Sequence, residues 1–192
     1  MTKRTAFASV RNNTGSPIVA VSLVHKYSDD YKHQQQWGIL DNGELGEEQL
    51  EVEYNTGAFT TGRDWWTVTW YSPDMRTRYY SDPENFRDII DAMESVAPSL
   101  LKKAATTLAG LSSLTGPGLI AARIVAKEVA AATSDALFNS ESTDGFKQHI
   151  LRSEDEDALT EIVINNDNTI TFKSNSGNSE TAVSEEAVDL EE

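Results

Sequence analysis

At 192 residues, with no cysteine and a formal charge of −15 at pH 7, the chain has the size of one domain able to bury its own core. The lack of thiols excludes disulfides, thiolate catalysis and the common sulfur-bound zinc sites, and the acidity argues against general binding to nucleic acid. The charge is unevenly placed: between Val96 and Ser134, Lys102, Lys103, Arg123 and Lys127 stand against Glu128 alone, a net of +3 that leaves −18 for the remainder.

The N-terminus carries a basic start, Lys3 and Arg4, without the apolar run of a signal peptide, so a cytoplasmic protein is expected. Residues 6–11 and 17–27 are apolar and β-branched, separated by the turn residues Asn12 to Ser16, and predict two strands. In the second, Val19, Val21, Leu23, His25 and Tyr27 alternate with Ile18, Ala20, Ser22, Val24 and Lys26. Both sets begin apolar, as in a central strand covered on both faces. Residues 28–36 are polar and read as a loop, followed by a short apolar run at Trp37. Leu50, Val52 and Tyr54 alternate with Glu51, Glu53 and Asn55, a half-buried strand with a solvated acidic face.

Residues 64–71 hold three of the four tryptophans among β-branched residues. Alternation sends Trp66, Val68 and Trp70 to one face and Trp65, Thr67, Thr69 and Tyr71 to the other. One face can be a core; the second still carries two large aromatics and must lie under another element or meet a partner. Residues 77–80 return as a strand.

From Ser81 or Asp82, a possible cap, with Pro83 at the first helical position and Glu84 at the positive dipole end, apolar residues recur at three-and-four spacing from Phe86 to Leu108. Pro98 predicts a break within this run. A second, alanine-rich helix is expected over 119–137, and the two together form an amphipathic hairpin over 82–138. Lysine and arginine interrupt the apolar runs before a membrane span accumulates. A short helix is expected over 144–151. A β-hairpin is expected around the turn 165–168, and 174–192 is an acidic tail of disordered composition.

No catalytic motif stands out. Glu51 and Glu53 share a strand face but read as solvated, and residues 165–168 lack the downstream glutamate of a calcium loop. His25, His33 and His149 are scattered. A hairpin could bring the first two together, but solvated positions are the simpler expectation, and no metal site or cofactor is expected.

Ser9 to Gly15, His25 to Asp30, Gln36 and Trp37, Tyr54 to Gly57 and Gly62 to Trp70 together resemble the "up-regulated in Daf-two" domain family. Residues 146–153 and 171–177 are similar to its extended fungal form. The resemblance covers most of 5–178. The family name records expression behaviour, so the resemblance implies no catalytic residue, cofactor or substrate. A looser, architectural similarity is to membrane-binding β-sandwiches such as aegerolysins and actinoporins.

The resulting expectation is an α+β domain over 1–173: an antiparallel β-sandwich or sheet with an inserted amphipathic helical hairpin. Its expected function is non-enzymatic binding. Trp65, Tyr71, Tyr79, Trp37 and Arg63 are the candidate ligand contacts, and Lys102, Lys103, Arg123 and Lys127 the candidate membrane contacts. Lipid headgroups, a glycan or a protein are the expected partners, with lipid preferred, and self-assembly into a homo-oligomer is the alternative. An enzyme of unknown class is the remaining reading.

Overall fold

The computed structural model describes residues 1–28, 30–58, 60–83 and 87–190. Six strands come first: β1 (Thr2–Asn13), β2 (Ile18–Tyr27), β3 (Tyr31–Leu40), β4 (Leu50–Thr56), β5 (Asp64–Tyr71) and β6 (Thr77–Ser81). Three helices follow, α1 (Arg87–Glu94), α2 (Pro98–Leu108) and α3 (Gly116–Asn139). The chain then closes with β7 (Lys147–Gln148), β8 (Leu159–Asn165), β9 (Thr169–Ser174) and β10 (Gly177–Ala187).

The strands form one path, β3-β2-β5-β6-β10-β9-β8-β1-β4, with the short β7 beside β5. Neighbours are antiparallel except β1 and β8, whose Phe7–Asn13 and Leu159–Asn165 run parallel in register. The path folds over at β10. Its first half, Gly177–Ala182, pairs with β9, and its second half, Val183–Ala187, pairs with β6. Two sheets therefore face each other and share one strand. Between them lie Val10, Leu23, Val52, Trp66, Val68, Trp70, Ile162 and Phe172. Trp66 and Trp70 each contribute roughly 4–6 kcal/mol by area alone.

The outer face of the β2–β5 sheet is apolar too, and α1 to α3 cover it. Val24, Ile39, Tyr71 and Tyr80 pack there against Met93, Ala126, Val129 and Ala130. The two-faced reading of β5 holds: Trp66, Val68 and Trp70 enter the sandwich, and Tyr71 lies under the helices. Every residue of β2 is buried, as expected of a central strand. Its strict alternation fails at one place. The register against β5 shifts between Val19 and Ser22, and Ala20 takes a left-handed φ of 51°. This bulge puts Val19 and Ala20 on the same, helical side and lets Ile18 and Val21 both enter the sandwich.

Pro98 breaks the first helical run and opens α2 at its first turn, where its missing N–H costs nothing. Ser81 closes β6 instead of capping a helix; the expected contributions of Glu84 and Phe86 lie outside the described residues. Three expectations are corrected. Residues 31–36 are not loop but the first half of β3, paired with β2 from Tyr27↔Tyr31 to Ile18↔Leu40. Residues 144–151 form no helix; Lys147 and Gln148 pair with Trp66 and Trp65. The acidic segment after 174 is not a tail through 187: it is β10, the strand both sheets share.

Glycine fixes the distance between α3 and β3. A Cβ on Gly38 would sit 2.3 Å from the Arg123 carbonyl oxygen, so this close approach admits no side chain. Gly38→Ala should cost about 1–3 kcal/mol by forcing α3 off the sheet, read as a lower urea midpoint with unchanged slope. Truncation after Ser174 should abolish cooperative unfolding, since it deletes the strand linking both sheets; an intact transition would show that β10 is dispensable.

Candidate functional site

The terminal strands of the path, β3 and β4, face each other without a backbone ladder. Side chains of β3 bridge the gap. Trp37 Nε1 donates to the Glu48 carbonyl at 3.1 Å, and Gln35 Nε2 donates to the Glu48 carboxylate at 2.9 Å. The Trp37 indole lies so close over Gly46 that a Cβ there would come within 2.4 Å of it. At the far end of the gap, His33 Nε2 accepts the Glu53 N–H at 3.2 Å.

That last bond fixes the protons of a buried chain. With Nε2 accepting, His33 carries its hydrogen on Nδ1 and donates to His25 Nδ1 at 3.2 Å. His25 then carries its hydrogen on Nε2 and donates to Asp64 Oδ1 at 2.8 Å. Asp64 Oδ2 accepts the Leu151 N–H at 2.9 Å, so every polar atom of the chain is used. His25 is 0 % exposed and its ring lies 4.2 Å from that of Trp66. The simpler expectation of solvated histidines is thus overturned for His25, and also for His149, which is buried between the Ser174 and Ser179 hydroxyls. The only sequence signal was the equal spacing of His25 and His33 from the turn between them, which required recognising 31–36 as a strand.

Lys26 is a buried cation, 1 % exposed. Its Nζ donates to the Ser140 and Ser142 carbonyls at 2.7 and 2.9 Å, at the negative end of the α3 dipole, and sits 4.7 Å over the Phe146 ring. Burial brings its pKa down to about 8. Lys26 ties β2 to the helical layer. Among the described residues no group of three or more His, Asp or Glu gathers as a metal site.

The candidate contacts from the sequence scatter. Tyr71 is fully buried beneath the helices, and burial pushes its phenol pKa up. Trp65 is half-buried at the margin of the same layer. The outward aromatic face is therefore mostly interior, and no continuous surface row joins Trp65 to Tyr71. Arg63 is exposed, but its Nη1 donates to the Thr61 and Gly62 carbonyls of its own loop. Tyr79 stacks on Trp70, centroids 5.4 Å apart, at the opposite end of β5 from Arg63.

Three candidates do come together. Trp37, Arg123 and Lys127 line a cleft of about 350 Å³ between β3, the 41–49 loop and α3. Ile124 lines it too and is 57 % exposed; Ile120, one helical turn away, is 60 % exposed. They are two of only four large apolar side chains so exposed among the described residues. Lys127 donates to Glu48 at 2.7 Å, whereas Arg123 and Glu47 make no ion pair among the described residues. Of the other cations, Lys103 pairs with Glu128 at 2.9 Å and Lys102 lies exposed on α2. No helix of the described residues is long and apolar enough to cross a membrane.

Over residues 2–183 the chain matches the family described as Up-Regulated in long-lived daf-2, and it belongs to that family. No curated protein matches it.

Two histidines, His33 and His149, make stability depend on pH. Burial, then the neighbouring His25, pulls the His33 pKa down to about 4, and burial also lowers that of His149. Below pH 6.5 the unfolded imidazoles take protons that the folded ones refuse, so stability falls as pH drops from 6.5 towards 5. The slope is at most about 1.4 kcal/mol per pH unit per histidine, and less for the partly solvated His33. Urea midpoints at pH 7, 6 and 5 should therefore decline. His33→Gln, which keeps an acceptor for Glu53, should flatten the decline; an unchanged slope would show that His33 does not titrate with folding.

Proposed function

We propose that this member of the family is a non-enzymatic interaction protein that receives a polypeptide segment in the cleft between α3 and β3. The observation that carries the reading is the pair Ile120 and Ile124, exposed one turn apart beside that cleft. Exposed apolar side chains rimmed by polar ones mark interaction surfaces. Trp37 at the wall and Arg123 on the rim are residue types that dominate binding energy at interfaces. Arg123 and Glu47, which make no ion pair among the described residues, suit a segment with one acidic and one basic residue around an apolar anchor.

Lipid contact has less support. Lys103 and Lys127 are already engaged by Glu128 and Glu48, and Glu44 and Glu47 stand beside the cleft. An anionic headgroup would meet these carboxylates. The enzymatic reading also has little to draw on, because His33 and His149, whose pKa values are displaced, do not line this cleft.

Selection from a random peptide display library is the test. The selected peptides should carry both charges, and Ile120→Asp or Arg123→Glu should weaken them roughly tenfold or more. Vesicle co-sedimentation lost in the same variants would replace the reading with a lipid one. Dimerisation lost in Ile124→Asp, seen by sedimentation equilibrium, would make a second copy the partner. If neither peptide, vesicle nor second copy depends on these residues, the cleft is not the binding site.

A further inference from the structure

A second cleft lies at the end of the sandwich far from Arg63, and nothing in the α3 surface contributes to it. The turns at 14–17, 72–73 and 165–168 and the edge of β10 enclose about 250 Å³. Its aromatic wall is the parallel stack of Trp70 and Tyr79, interplanar angle 6°, set by their cross-strand pairing on β5 and β6. Tyr79 is half-buried, whereas Trp70 is only 3 % exposed. The Trp70 indole N–H nonetheless makes no hydrogen bond among the described residues, unlike the Trp37 and Trp66 N–H groups, which donate to Glu48 and His149 carbonyls. The nitrogen is not among the fully buried unpartnered polar atoms, so it keeps access at the cleft and is free to donate to a molecule bound there.

The rim is polar and almost uncharged. Asn166 and Asn168 are exposed, and their amides make no hydrogen bond among the described residues. Asn168 is held at the turn by a left-handed φ of 60° and by accepting the Val183 N–H on its carbonyl. Ser16 adds a hydroxyl and Glu185 the one carboxylate; no lysine, arginine or histidine lines the cleft. A phosphate-bearing ligand such as a nucleotide would find no countercharge here, in a chain already at −15.

We propose that this cleft binds a neutral carbohydrate. A pyranose has an apolar C–H face and a ring of hydroxyls. The face matches the open side of the tyrosine in the stack, and each hydroxyl, both donor and acceptor, matches an amide that offers both functions. The carboxylate of Glu185 takes a hydroxyl proton in a hydrogen bond, and the Trp70 N–H donates to a sugar oxygen at the base. The volume holds about one ring, so the site recognises a single residue of a chain or its end, with the rest of the glycan extending into solvent.

The test follows the four indole N–H resonances by two-dimensional NMR while soluble cello-, chito- and manno-oligosaccharides are added up to about 10 mM, the weak end of single-ring affinities. The expected result is a saturable shift of the Trp70 resonance with one of these series, while the Trp66 resonance stays fixed. Asn166→Ala alters only an exposed turn side chain and should weaken binding roughly tenfold with the fold intact; Tyr79→Val should abolish it. The proposal is overturned if no oligosaccharide moves Trp70, if binding persists in Asn166→Ala and Tyr79→Val alike, or if a proline-rich peptide moves Trp70 and no sugar does. Ile120→Asp should leave sugar binding unchanged, which separates this site from the α3 cleft.

Discussion

Strand β5 is bulky on both faces, and the architecture answers that constraint. A half-buried sheet would leave either Trp66 and Trp70 or Tyr71 in water. The chain avoids this by making the β2–β5 sheet the middle layer of three, with the β1–β4 sheet on one side and α1 to α3 on the other. Burial on both sides then carries over to polar groups on the same strands. Lys26, His25 and Asp64 cannot reach water, so each must be satisfied within the protein. Lys26 finds the end of α3, and His25 joins Asp64 to His33.

The path does not close as a backbone barrel. Between its terminal strands, side chains of β3 substitute for a ladder, and they use hydrogen bonds that leave space beside them. The α3 cleft lies along that seam, and the second cleft lies where three turns meet at one end of the sandwich. Both openings sit at places where the sheet cannot pair with itself. The clefts open there because regular structure runs out of partners, not because the core is incomplete.

The sequence made the elements with local signals legible: the Pro98 break, the hairpin of β8 and β9, the alternation of Leu50, Val52 and Tyr54, and the two faces of β5. Where long-range pairing decided, composition misled. The glutamine-rich start of β3 and the serine- and glutamate-rich β10 have poor strand propensity, yet each gains hydrogen bonds from a well-formed neighbour, β2 for one and β6 with β9 for the other. The Asp64–His25–His33 chain needed the β2–β3 register, which no local pattern encodes. Trp37, Arg123 and Lys127 were singled out separately for aromatic and cationic character; only the packing of α3 over Gly38 brought them into one cleft.

Charge placement gains meaning once the layers are known. The segment with net +3, residues 96–134, forms most of the helical layer, while the remainder of the chain, α1 and Asp135 included, carries −18. Exposed charges farther apart than about 8 Å are largely screened at physiological salt, so the asymmetry acts mainly at short range. An acidic partner approaching the strand side meets repulsion before any contact forms; near α2 and α3 it does not. The field would therefore favour the α3 surface over the strand side for any acidic partner. A neutral ligand feels no such bias. The cleft of Trp70 and Tyr79 can thus sit on the acidic side at no electrostatic cost, and the two proposed sites would separate their ligands by charge as well as by shape.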